Sequence, residues 1–158
     1  MTGVPQGYEI GEADWDDEEF RELVRWVGAQ TLALYDGVDL SKQKVRPLTR
    51  DDVRTIVAIR IDGRLVAAGL LSDAHGVWEV NRLAVDPDHR RLGLARAVLA
   101  ELERRARRDG VGRLRLQTGF RQEAAIALYV DGGWTRIPPY GPYADDDIVS
   151  VCFEKELT

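Results

Sequence analysis

The 158-residue chain has one cysteine, Cys152, so no internal disulfide braces it. Histidine is nearly as scarce. Neither His75 nor His89 sits in a Cys/His cluster at metal-ligand spacing, which argues against metal chemistry. There is no run of about 18 apolar residues to cross a membrane, and no basic patch followed by an apolar stretch at the N-terminus. The expectation is a soluble, cytoplasmic protein with no membrane partner. Repeats, low-complexity tracts and Ser/Gly linkers are also missing, which leaves residues 1–158 as a single domain. No excess of basic charge exists either: 22 Lys and Arg are interspersed with 27 Asp and Glu, for a net charge of −5. That balance lacks a nucleic-acid footprint, and the acidic background weakly suits a cationic amine ligand.

What is present is 44% hydrophobic residues, enough for one sizeable core. Residues 8–13 alternate weakly, as a first strand would. From Asp16 an acidic start precedes Phe20, Leu23, Val24, Val27, Thr31 and Leu34, an apolar stripe at helical spacing. Residues 36–48 read as a loop, ending in a short turn at 49–53. Runs at 55–61 and 65–71 are β-branched and apolar, and Asp62-Gly63 between them is a hairpin signal because both turn positions favour positive φ. A third strand is expected over 77–85, closed by Pro87. Leu94, Val98 and Leu102 then recur at four-residue spacing, with Glu101 and Arg105 as a surface pair and Asp109-Gly110 as a stop. Residues 113–118 alternate, a further helix runs from about Gln122 to Gly132-Gly133, and short strands follow at 134–137 and 148–154. This order gives an α/β fold of the α+β kind, a mixed sheet with helices on both faces. It is not the strand–helix repeat of a dinucleotide-binding domain, and the full Gly-x-Gly-x-x-Gly spacing is absent.

The chemistry concentrates in residues 81–96, a strand, a tight loop and a helix opening. Main-chain N–H groups at a helix start have no internal acceptor and sit at the positive end of its dipole, so they can hold a phosphate. Gly93 permits close approach, Ala95 keeps the path clear, and Arg90, Arg91 and Arg96 add local positive charge. Gly93 taken alone reads equally well as a loop glycine before an amphipathic helix.

Arg90-Arg91-Leu92-Gly93-Leu94-Ala95 matches Arg/Gln-x-x-Gly-x-Gly/Ala, after a strand ending Leu83-Ala84-Val85-Asp86-Pro87. Downstream, Ala125-Ile126-Ala127-Leu128-Tyr129 and Gly132-Gly133-Trp134 are similar to Ala-x-x-Leu-Tyr-x-x-x-Gly-Phe. With the tail at Cys152-Phe153-Glu154-Lys155, the segment 55–157 resembles the GNAT superfamily of acyl-CoA N-acetyltransferases, in its small bacterial form. Three positions depart from the pattern: Arg91 stands where many members have Gly, Gln122 where an Asn often contacts the cofactor, and Trp134 where Phe or Tyr is usual.

The resemblance implies a central, mostly antiparallel sheet and direct attack of a primary amine, on a small molecule or peptide, on the thioester of acetyl-CoA. It places acetyl-CoA against Leu83, Ala84 and Val85, the cradle from Arg90 to Arg96, Gln122 and Tyr129. An amine with a pKa of about 10.4 is mostly protonated at neutral pH, so a base must take a proton, directly or through water. Glu79 occupies the family position for that carboxylate, and Asn81, two residues on and on the same face, would help position substrate. Glu79 also reads as a solvated strand glutamate. Tyr129 matches the family tyrosine that protonates the leaving thiolate, and a main-chain N–H near a bulge at Leu83 would stabilise the oxyanion. Tyr140 and Tyr143, in a rigid Pro-rich loop, form either an acceptor wall or a packed connection. Cys152 reads as a buried structural thiol, and His75 and His89 read as surface residues. Dimerisation is open on the resemblance, and no feature of the chain demands it. A non-catalytic acyl-CoA-binding or sensing domain is the competing reading.

Overall fold

The computed structural model describes residues 7–157. Its elements follow the order β1 (Tyr8–Glu12), α1 (Glu18–Ala33), β2 (Val53–Ile61), β3 (Arg64–Ser72), β4 (Glu79–Val85), α2 (Leu94–Arg108), β5 (Arg113–Gly119), α3 (Glu123–Asp131), β6 (Thr135–Ile137) and β7 (Ser150–Glu156). One seven-stranded sheet runs β1-β2-β3-β4-β5-β7-β6. Every neighbouring pair is antiparallel except β4 and β5. None of the described helices is long and apolar enough to cross a membrane.

Local chemistry accounts for the element boundaries. Asp17 caps α1, its carboxylate accepting from the N–H groups of Glu19 and Phe20. Asp62 and Gly63 both take positive φ, 51° and 78°, in the β2–β3 hairpin. Strand β4 begins two residues later than expected because the chain turns through Gly76 before it, leaving Trp78 to accept the N–H of Arg115. Two apolar clusters sandwich the sheet. Phe20 and Leu23 of α1 pack on Ile56, Ala58, Ala68 and Leu70 on one face, while Leu94, Val98, Leu99 and Leu102 of α2 pack on Val57, Ile59, Val66 and Leu71 on the other. Burial of such side chains contributes roughly 1.5–3 kcal/mol each before conformational entropy is subtracted.

Arg105 departs from its expected place in an exposed pair with Glu101. Its side chain is 9% exposed. It bonds Glu101 at 2.8 Å and reaches off α2 to Glu12 and Thr55, both at 3.0 Å. The guanidinium thus ties α2 to the β1–β2 edge, with its charge matched by two carboxylates.

Two irregularities in β4 shape the functional region. Its ladder with β3 shifts register between Ala68 and Leu70, and Arg82 at the shift takes φ 57°, so a bulge stands at Arg82–Leu83, where the family resemblance implied one. On its other side β4 pairs with β5 only at Glu79 and Arg115, after which the two parallel strands diverge.

Candidate active site

That divergence opens a cleft of about 1330 Å³ between β4 and β5. Its walls are the second half of β4, the end of β5 at Gln117 and Thr118, one side of α1, the N-terminus of α2 and one face of α3. Of the residues picked out in the sequence, Asn81, Leu83, Ala84, Val85, Arg90, Arg91, Gly93, Leu94, Ala95, Arg96, Gln122, Tyr129 and Tyr143 all line it. Leu92 does not: it packs against the α2-side core. Glu79 and Tyr140 lie behind the lining.

At the mouth, the first helical hydrogen bond of α2 runs from the N–H of Ala97 to the carbonyl of Gly93. The N–H groups from Gly93 through Arg96 therefore have no acceptor among the described residues, and they point out of the positive end of the helix. Gly93 caps the helix at φ 77°, a conformation that disfavours a Cβ. Arg91 adopts φ 65°. Arg90 is tethered to Gln30 of α1 at 3.0 Å, whereas Arg91 and Arg96 have no ion-pair partner among the described residues. These groups suit a phosphate or pyrophosphate.

Deeper in, Gln122 has its amide oxygen committed to the N–H of Gly119 at 3.0 Å and the hydroxyl of Tyr35 at 3.3 Å, so its amide NH2 is the part left for a ligand. Tyr35 was not anticipated from sequence. It lies just past the end of α1, is buried, and its hydroxyl also accepts the N–H of Arg121. Tyr129 is 6% exposed, its ring set between Trp134 and Phe153 at centroid distances of 6.0 and 5.7 Å. Its hydroxyl makes no hydrogen bond among the described residues, and burial pushes the phenol up to about 12.

Glu79 is not a solvated strand residue: it is 0% exposed. One carboxylate oxygen lies 2.6 Å from His75 Nδ1, and the other accepts the Tyr140 hydroxyl at 2.6 Å. His75, expected at the surface, is therefore part of a buried cluster, and its Nε2 has no partner among the described residues. Tyr140 packs edge-on against Tyr143, and Arg115 lies 5.3 Å from the centroid of the Tyr140 ring. Burial, the charge of Glu79 and their hydrogen bond all push the Tyr140 phenol up, so it remains the donor. Asn81 projects on the same face and bonds Ser72. The loop carrying both tyrosines is anchored by buried Asp146, which accepts from the N–H groups of Ile148, Val149 and Ser150, the Ser150 hydroxyl and Gln43. Cys152 is buried beside this cluster and its thiol is pushed up to about 11 by burial, so it is a structural residue.

Fold and cleft together define a class: a mixed sheet split between two parallel strands, with a helix N-terminus at the mouth suited to an elongated phosphorylated ligand. The sequence profile of the acetyltransferase (GNAT) family matches residues 9–133, and the chain belongs to that family. An IAA acetyltransferase from Azospirillum brasilense is 35% identical over 138 residues, 86% of each chain. Among solved structures, a Klebsiella pneumoniae protein assigned as an acyl-CoA N-acyltransferase superposes with a TM-score of 0.78 at 35% identity, covering 96% of this chain and 98% of its own. The PaiA N-acetyltransferase of Thermoplasma acidophilum, solved with coenzyme A, shares the fold at 17% identity, with a TM-score of 0.70 over 94% of this chain and 98% of its own.

Proposed function

We propose that the chain transfers the acetyl group of acetyl-CoA to a primary amine of a small molecule or peptide, by direct attack with both substrates bound. The observation that carries this reading is the row of unsatisfied N–H groups from Gly93 to Arg96, opening into the same cleft as the free hydroxyl of Tyr129. Coenzyme A held by the Thermoplasma protein of the same fold supports it.

Acetyl-CoA supplies an activated thioester. The α2 N-terminus holds its pyrophosphate, Arg91 and Arg96 offset the charge, and the Gln122 NH2 donates further in. At the Arg82–Leu83 bulge the ladder is interrupted, and a main-chain N–H released there would serve the carbonyl oxygen that becomes negative. Glu79 receives the amine proton by relay rather than by contact, since its carboxylate sits behind the cleft wall with both oxygens engaged. Tyr129 faces the departing sulfur. A phenol at about 12 is a weaker acid than a thiol near 8.5, so full proton transfer to the thiolate is uphill by roughly 5 kcal/mol. Tyr129 thus acts by donating a hydrogen bond to the sulfur.

The test is release of free CoA thiol from acetyl-CoA against amino acids, polyamines, aminoglycosides and peptides, with CoA-induced thermal shift alongside. Acceptor-dependent release supports the transferase. A clear CoA shift with no release from any acceptor would instead favour an acyl-CoA sensor.

A further inference from the structure

The charge of the cleft is opposite in sign to that of the protein. Against a net −5 overall, the cleft lining carries Arg82, Arg90, Arg91, Arg96 and Arg121, and its carboxylates are Glu123 and Asp131, both on α3. Three of these arginines belong to the phosphate cradle. Arg121 is occupied, donating to the carbonyl of Leu34 at 2.6 Å and lying over the Phe120 ring. Arg82 remains, outside the cradle and lining the cleft.

Arg82 has neither a side-chain hydrogen bond nor an ion-pair partner among the described residues, where ion pairs engage most of the other arginines. It stands in the bulge at φ 57°, a backbone region costly for a residue with a Cβ. Along β4 it is three residues, or about 10 Å, from Glu79, between that carboxylate and the phosphate cradle. Across the gap is Tyr143, which lines the cleft. Arg82 and Tyr143 thus line one cleft, the guanidinium opposing the upward push of burial and of the Glu79 charge on that phenol. The other polar groups lining this end, Asn81, Gln43 and Gln117, are neutral amides. Glu79 and Asp146 are close by but sealed, each with its oxygens engaged in the protein. An acceptor entering here meets an unpaired cation and no free carboxylate.

We infer that Arg82 is an acceptor-specificity residue, and that the acceptor is an amine that also carries a carboxylate, an amino acid in the chemical sense. A guanidinium fork matches a carboxylate with two parallel hydrogen bonds, and a polyamine would be repelled from the same place. The background acidity pointed weakly to a cationic acceptor; the lining of the cleft reverses that expectation. The inference rests on the transferase reading and narrows its acceptor.

The experiment measures kcat and KM for α-amino acids, each paired with its own carboxamide, and for polyamines, using the full chain and its Arg82→Gln and Arg82→Lys variants. The expected result is that the parent prefers acid to carboxamide by about 10- to 100-fold in kcat/KM, mostly through KM. That preference should collapse toward unity in Arg82→Gln and return in part in Arg82→Lys. Equal use of acid and carboxamide by the parent, a preference for polyamines, or an acid preference that survives in Arg82→Gln overturns the assignment of Arg82 while leaving the transferase reading intact. Absence of acetyl transfer to every amine, together with no binding of acetyl-CoA, removes both readings.

Discussion

Replacing Tyr129 with phenylalanine removes one hydroxyl and nothing else. The ring keeps its places against Trp134 and Phe153, and the hydroxyl has no partner to orphan among the described residues, so folding stability should change by less than about 0.5 kcal/mol. The effect on rate depends on what the hydroxyl does. With its phenol at about 12, Tyr129 is fully protonated at any ordinary assay pH and a poor proton donor to a thiolate. The loss is then that of one hydrogen bond to a charged sulfur, about 1.5–3 kcal/mol, or roughly 10- to 150-fold in kcat. Steady-state thiol release gives kcat, calorimetry gives the affinity for acetyl-CoA, and a melt checks folding. A kcat within twofold of the parent would remove Tyr129 from the mechanism. A fall of about 10⁴-fold would refute the hydrogen-bond argument in favour of full proton transfer.

Other perturbations test the surrounding structure. Gly93→Ala places a Cβ at φ 77° where the cradle begins, and should weaken acetyl-CoA binding several-fold in calorimetry while kcat at saturation changes less. A Cβ on Gly119 would lie 1.8 Å from the Tyr35 hydroxyl and 2.9 Å from Gln122 Oε1, so Gly119→Ala should cost about 1–3 kcal/mol in denaturant unfolding, with part recovered by adding Tyr35→Phe. Burial raises the Asp146 carboxyl, but hydrogen bonds from Val149, Gln43, Ser150 and Ile148 outweigh it and hold the group at about 2, below its ordinary 3.8. A depressed folded-state value gives stability that is complete above about pH 4 and is lost as pH falls through 2, here about 2 kcal/mol. Asp146→Asn should forfeit it at neutral pH and flatten the acid limb of the unfolding curve. Glu79→Gln should lower the rate and move the pH-rate profile; a superposable profile would clear Glu79 of proton transfer.

Features governed by neighbours in sequence were readable before the structure. The hairpin at Asp62-Gly63, the acidic cap of α1 and the opening of α2 at Gly93 are set by local backbone preference, and they lie where the sequence put them. The bulge beside Leu83 was placed by family resemblance. Its physical sign, the positive φ of Arg82, has no compositional signal. The cluster around Glu79 was only half legible. Its bond to His75 crosses a turn of four residues and its bond to Tyr140 joins positions 61 apart, so neither partner shares a periodicity with it. Arg105 was misplaced for a related reason. The i, i+4 bond to Glu101 is real, but Arg105 also bonds Thr55 and Glu12, 50 and 93 residues away, which helical spacing does not reveal. The place inferred for Arg82 could not be read either, because it depends on the side chain having no partner among the described residues in a cleft that only the diverging strands create.

The most direct test of the account is a single-turnover reaction with acetyl-CoA labelled in the acetyl group and an amine acceptor in excess, quenched over the time course. Direct transfer predicts that the label passes to the acceptor nitrogen, with none on the protein at any time. Label found on the protein, on Cys152 or elsewhere, in amounts that rise and fall with turnover would contradict direct attack within the cleft.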